Sequence, residues 1–261
     1  MKRQISITTI LLALFAATIF APSSFAQTQP PAPQFSRVQI VRLNPGMSDE
    51  WRTFYQTEIL PVLKKAGVKR QDVLTVAQGD VREYIIITPL EGLAQLDEPG
   101  ALAKVLGQEA AHTLNMKHSR FFAEWRSQIQ VSRPDLGFTS ASKDPSKLAI
   151  SVRTSVTPGR AAEYEKFVKE NLLPISKKAN LKAVLAGKVI AGGDPNGYRA
   201  LLLFDSYAAM ESYGSAMNKA AAELKLSFTP PPGVVAHTEL VIVRAVPELS
   251  IRPEPQKAAN K

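Results

Sequence analysis

His112 and His118 stand six residues apart in a stretch of helical periodicity, and imidazoles are the groups here best suited to moving protons or ligating metal near neutral pH. Six residues place them about 120° apart around a helix, which predicts that the two cannot both point into one site. The three- or four-residue step that puts two metal ligands on one helix face is missing. His112 borders the apolar side formed by Leu102, Val105 and Met116. It reads either as a flank histidine bonded to backbone or water, or as a pocket base or axial haem ligand. His118 lies near the helix end.

Trp51 is the first large apolar residue of an amphipathic helix, where an aromatic packs into the core or lines a pocket. Arg42 and Arg153 fall on strand faces turned away from the helices. Both are candidates to contact a ligand in the space behind the sheets, or to join a network with Gln128 and Gln130. Trp125, just before a strand, suits a cavity mouth as well as a core. Nothing matches a Walker loop, G-x-G-x-x-G, G-x-S-x-G or H-E-x-x-H, and Gly192-Gly193-Asp194 joins two strands as a hairpin turn. No metal site is expected, and no cofactor is expected from motifs. Haem enters only through the axial-ligand reading of His112.

These residues sit on a pattern written twice. Asn44-Pro45-Gly46, Trp51, Phe54, Leu60-Pro61-Val62 and Lys64-Lys65-Ala66 return as Thr157-Pro158-Gly159, Tyr164, Phe167, Leu173-Pro174-Ile175 and Lys177-Lys178-Ala179. The offset is constant and also relates Pro134-Asp135-Leu136 to Pro247-Glu248-Leu249, which reads as a tandem duplication. The matched position of Glu124 is His237.

In each copy the periodicity predicts strand, helix, strand, strand, helix, strand. Pro61 and Pro174 fall inside the first helices and should kink them. Ser48 is expected as an N-cap, and the second helices are expected over 100–117 and 207–226. Ile85-Ile86-Ile87 and Leu201-Leu202-Leu203 are apolar on both sides, hence strands buried on both sides. The expected fold is α+β. Each copy is a ferredoxin-like βαββαβ unit with its helices on one face, and the two pack sheet to sheet.

On this element order and on the Pro-Gly and Leu-Pro…Lys-Lys-Ala patterns, the chain resembles the dimeric α/β-barrel superfamily. That group includes antibiotic-biosynthesis-type monooxygenases and NIPSNAP-like proteins, here fused in tandem as an intramolecular pseudo-dimer. The resemblance spans nearly all of 37–249. It implies a range from oxygenases to haem binders to proteins without known activity, so it assigns no function by itself.

Lys2 and Arg3, the apolar run Ile5 to Phe20, and Ser24-Phe25-Ala26 read as a cleaved export signal over 1–26. A Pro-rich lead-in follows over 27–36, then units at 37–136 and 148–249, a linker at 137–147 and a tail at 250–261. The 261 residues include no cysteine, which excludes disulfides and thiolate chemistry. The net charge of +9 is scattered among acids rather than blocked, which argues against nucleic acid. No membrane attachment is expected after cleavage. The reading that follows is an exported, periplasmic or secreted barrel protein binding a small apolar molecule between helices and sheet. The alternatives are a cofactor-free monooxygenase-like or haem-binding enzyme, and a structural or partner-binding protein.

Overall fold

A computed structural model describes residues 34–139 and 146–252. The expected leader, most of the lead-in and the tail from 253 lie outside the described residues. The first half runs β1 (Phe35–Leu43), α1 (Ser48–Phe54), a π-helical turn (Tyr55–Ile59), α2 (Leu60–Lys65), β2 (Asp72–Gln78) and β3 (Glu83–Leu90). It continues through α3 (Ala101–Leu106), α4 (Gln108–Ser119) and β4 (Phe122–Ser132). The second half runs β5 (Phe138–Thr139), β6 (Leu148–Val156), α5 (Ala161–Phe167), a π-helical turn (Val168–Leu172), α6 (Leu173–Lys178), β7 (Ala183–Ala191) and β8 (Gly197–Phe204). It ends with α7 (Tyr207–Leu224) and β9 (Val235–Ala245).

The expected kinks are π-helical turns. Pro61 and Pro174 have no N–H to give and their rings crowd the carbonyl one turn back; a widened turn just ahead of each removes both conflicts. Ser48 is the first helical residue and not the cap: Met47 holds that position, and its carbonyl accepts from the Trp51 N–H at 2.9 Å. Two boundaries also shift. Phe35 and Ser36 belong to β1, because they pair with Leu90 and Pro89 respectively, and part of the expected linker forms β5 against β7.

The strands follow the order β4-β1-β3-β2-β9-β6-β8-β7, and a further β4–β7 ladder closes them into an eight-stranded antiparallel barrel. The two sheets therefore do not simply face each other; they also join edge to edge. Left open, β2, β4, β7 and β9 would each present unpaired backbone groups, and the β2–β9 and β4–β7 ladders satisfy them. Gly192, in the β7–β8 hairpin, permits one closure, since any side chain there would strike the Ser127 carbonyl of β4.

Alternation along the strands divides the core. Val38, Ile40, Ile85 and Val243, with Ile87, Leu201 and Leu203, face the barrel interior. Val41, Tyr84 and Ile86 face the first-half helices, and Leu202 faces those of the second half. Each isoleucine or leucine triplet is thus covered on both sides.

Each half reaches under the helices of the other. Val246, Leu249 and Ile251, after β9, lie in one cluster with Trp51, Tyr55 and Val73. Leu136, after β4, lies with Val156, Val168, Leu173 and Tyr198. Ion pairs mark both crossings: Arg52 of α1 with Glu248, and Arg133 with Glu165 of α5 at 2.6 Å. Arg133 also binds Asp135 at 2.8 Å, and the Tyr198 hydroxyl donates to Glu165 at 2.6 Å. The Arg133 bonds hold the Glu165 carboxyl down at about 2.

Candidate functional site

The helices of the first half do not fill the space above their sheet. A cavity of about 460 Å³ remains between α1 to α4 and the outer face of β1 and β3. Its apolar walls include Val41, Ile59, Leu63, Ile86, Leu102 and Phe122, and Trp125, 49% exposed, stands in its lining. Polar groups enter from two sides. Tyr55, Gln71 and Thr88, with Arg37 and Gln39 of β1, come from the π-helical turn and the sheet side, and Gln108, His112, Asn115 and His118 come from α4.

Gly107 shapes this arrangement. At φ +81° it breaks the single helix expected over 100–117 into α3 and α4, a conformation that costs glycine little. From α4, residues 108, 111, 112, 115 and 118 line the cavity, at steps of three and one. His112 and His118 therefore share one site, contrary to the expectation from their angular separation. Asn115 stands midway between them, and an arc of about 120° is no wider than the buried face of an ordinary amphipathic helix.

His118 is the most constrained polar group here. Trp51 is fully buried, and its indole N–H donates to His118 Nε2 at 3.0 Å, with the two rings within 6° of coplanar. Phe122 meets the imidazole edge-on at 4.7 Å, with Phe54 at 5.7 Å and Tyr55 at 5.8 Å. Burial in this aromatic cage pushes the His118 pKa down to about 4. At neutral pH the ring is uncharged. With Nε2 occupied as an acceptor, the proton resides on Nδ1, which has no protein partner among the described residues. A fixed N–H donor is thereby available to an occupant of the cavity.

The floor is equally ordered. Gln71, buried, donates from Nε2 to the Tyr55 hydroxyl oxygen at 2.7 Å and accepts from Thr88 Oγ1 at 3.3 Å. Its backbone is pinned by reciprocal 2.8 Å bonds with Ile251 from the second half. Burial raises the Tyr55 pKa, so the phenol stays protonated and its hydrogen remains to be donated.

The other candidates fall elsewhere. Trp51 is beneath the cavity and acts on it through His118. Arg42 is half-exposed and paired with Asp80 at 3.8 Å and Glu124 at 3.3 Å. Arg153 is well shielded between Glu83 and Glu239, the latter at 3.1 Å. Neither arginine lines the cavity, and Gln128 partners Arg199 instead of either. Carboxylates take the places expected for a ligand or an amide: Glu124 and Glu239 are direct cross-strand neighbours of Arg42 and Arg153, and Glu83 reaches Arg153 across the barrel. Tyr55 and Gln71 are not singled out by sequence reasoning, and His118 is passed over as lying near the helix end. For α4 the available signal was the stripe of polar and small residues at helical spacing.

Among the described residues, the second half does not repeat this set of side chains. Val168 replaces Tyr55 at the start of its π-helical turn, and Met210 and Tyr213 of α7 pack on Leu148, Leu181, Val184 and Phe204. The Tyr213 hydroxyl lies 3.0 Å from Ser176 Oγ. No group of three or more potential metal ligands occurs among the described residues.

The lowered His118 pKa has a stability consequence. Protonation is easier in the unfolded chain, so the contribution is fully present above about pH 6.5 and is lost as pH falls towards about 4. At about 1.4 kcal/mol per pKa unit the loss is at most about 3 kcal/mol. His118→Gln, which keeps an acceptor for Trp51, should flatten this part of the profile. Denaturant midpoints of both proteins between pH 7 and 4 check it; parallel profiles would mean His118 titrates normally.

No protein-family model and no curated protein matches the sequence. Solved structures do match in fold. A candidate monooxygenase from Lactobacillus acidophilus superposes with a TM-score of 0.53 at 8% identity, covering 82% of this chain and 94% of its own. One from Fusobacterium nucleatum gives 0.54 at 10%, covering 83% and 94%. An anthrone oxidase-like protein gives 0.58 at 12%, covering 87% and 97%. At these identities the likeness shows the fold alone, a closed antiparallel α/β barrel.

Proposed function

We propose that the first-half cavity binds a small, planar, largely apolar molecule carrying a carbonyl or phenolic oxygen. The observation that carries this reading is the Trp51 to His118 hydrogen bond, which holds an uncharged imidazole with its Nδ1–H free for an oxygen acceptor. The Tyr55 hydroxyl is a second donor, and the walls supply aromatic and aliphatic surface for a flat ring system.

A second reading is catalytic. Donors fixed in an apolar site stabilise an oxyanion as it forms. His112, the less buried histidine of the lining, is placed to accept the proton, leaving the electron pair on the substrate oxygen. The anthrone oxidase-like and monooxygenase-described neighbours favour this reading through their fold. A haem is held less readily, because His118 Nε2 is already engaged and iron would depend on His112 at the rim.

Titration with 1,8-dihydroxyanthrone tests the site. His118→Gln should weaken binding by on the order of tenfold, about 1.4 kcal/mol, with the melting temperature at pH 8 held. Unchanged affinity would remove the site. Oxygen uptake that stops in His112→Ala supports catalysis, and haemin binding that is lost in His112→Ala alone would favour the haem reading.

The same proposal takes the two halves as copies of one ferredoxin-like unit, forming a pseudo-dimer in an exported chain. The repeated strand order, the paired π-helical turns and the matched aromatic contacts Trp51–Tyr84 (4.5 Å) and Tyr164–Tyr198 (4.8 Å) support the duplication. Export rests on the leader sequence alone; the N-terminus of the secreted chain, expected near Gln27, decides it.

A further inference from the structure

The barrel interior holds a second cavity, separated from the first by the sheet. It measures about 700 Å³, and its walls are mainly aliphatic: Val38, Ile40, Leu74, Ile85, Leu201 and Leu203 are among them. Arg199 lines the same space, as do Arg70 and Arg252, both of which pair with Asp72. The situation of Arg199 is unusual. Arg153, its direct cross-strand neighbour, takes both nearby carboxylates at bonding distance, Glu83 and Glu239. Arg199 is left with one neutral partner, donating from Nη2 to Gln128 Oε1 at 3.1 Å, and no carboxylate lies within ion-pair range among the described residues. Burial, and then the charge of Arg153, push its pKa down to about 10, so it remains a cation at neutral pH. A guanidinium offers five N–H donors in a planar fork suited to a carboxylate. Here the residue that carries the fork lines a largely aliphatic space.

From the aliphatic walls and the carboxylate-free guanidinium, we infer that the barrel interior is a binding site for a single-chain amphiphile with a carboxylate head. The head group lies on Arg199, completing the ion pair that the protein does not supply. The chain lies along Leu201, Leu203, Ile85 and Val38. This site is independent of the cavity beneath α4, and its ligand is of a different class: flexible and anionic, where the other is flat and uncharged.

Calorimetric titration of the full-length protein at pH 8 with dodecanoate and with dodecanol tests it. Dodecanoate should bind with one-to-one stoichiometry, and dodecanol at least tenfold more weakly. Arg199→Gln should reduce dodecanoate affinity at least tenfold and erase the preference for the acid, while His118→Gln leaves both unchanged. If Arg199→Gln does not fold, Leu201→Trp, which fills the cavity, should abolish binding of both probes. Equal affinity for acid and alcohol, dodecanoate binding that responds to His118→Gln, or no binding would each overturn the inference. So would binding that appears only after residues 1–33 are removed, since that segment would then be the occupant.

Discussion

Expressed as separate chains, residues 1–139 and 140–261 are expected to fail as monomers and to recover a cooperative transition only when mixed. The loss follows from what each half lends the other. Without the second half, β2 and β4 lose their β9 and β7 ladders, and the first-half core loses Val246, Leu249 and Ile251. Without the first, Leu136 leaves the second-half core and Glu165 loses Arg133. Either half alone would also expose the aliphatic face that now lines the barrel, a patch larger than monomers tolerate. Circular dichroism and sedimentation of each piece and of the mixture check it. Two well-behaved monomers, each with its own transition, would show that the crossings contribute little.

Replacing Trp51 should produce the largest single-residue effect. Its indole is completely buried, lies 4.5 Å from Tyr84 and 5.2 Å from Tyr55 between ring centres, and supplies the N–H that orients His118. Trp51→Ala should cost about 3 to 5 kcal/mol. In a chain of this size that corresponds to a fall of roughly 6 to 20 °C in melting temperature. Trp51→Phe separates packing from orientation. It should cost about 1 to 3 kcal/mol for the lost donor and volume. The imidazole is then free to exchange tautomers and turn, and affinity for the anthrone should fall by on the order of tenfold. Thermal melts and the same titration on both variants check this. Phe at 51 with full affinity would show that the indole N–H does not set the site.

Local chemistry was legible where one residue decides it. Pro61 and Pro174 announce a disturbance in each first helix, because a missing N–H acts within a single turn. Ile85-Ile86-Ile87 announces a strand covered on both sides for the same reason. The site was less legible because it is made of distances between elements. The angle between His112 and His118 argues that they cannot share one site, yet the width of a helix face depends on what packs beside it. Arg153 meets Glu239 across one ladder, but it meets Glu83 only because the two halves share one barrel, and no pattern in β6 signals that. The cavity itself is a difference between volumes, set by the break at Gly107 and by where the second half pins Gln71.

The ion pairs at the two crossings are reversed in polarity. The helix of the first half presents arginine, Arg52, to the acid Glu248; the helix of the second presents the acid Glu165 to Arg133. In the repeat, Asp135 stands where the other half has Glu248, and Val246 stands where the first has Arg133. Joining two second halves would therefore set Glu165 against Glu248 with no guanidinium between, twice in every such barrel, whereas two first halves would still offer Arg52 an acid in Asp135. The discrimination is one-sided: the second half is keyed against its own kind, and strand exchange between neighbouring chains is steered away from that pairing.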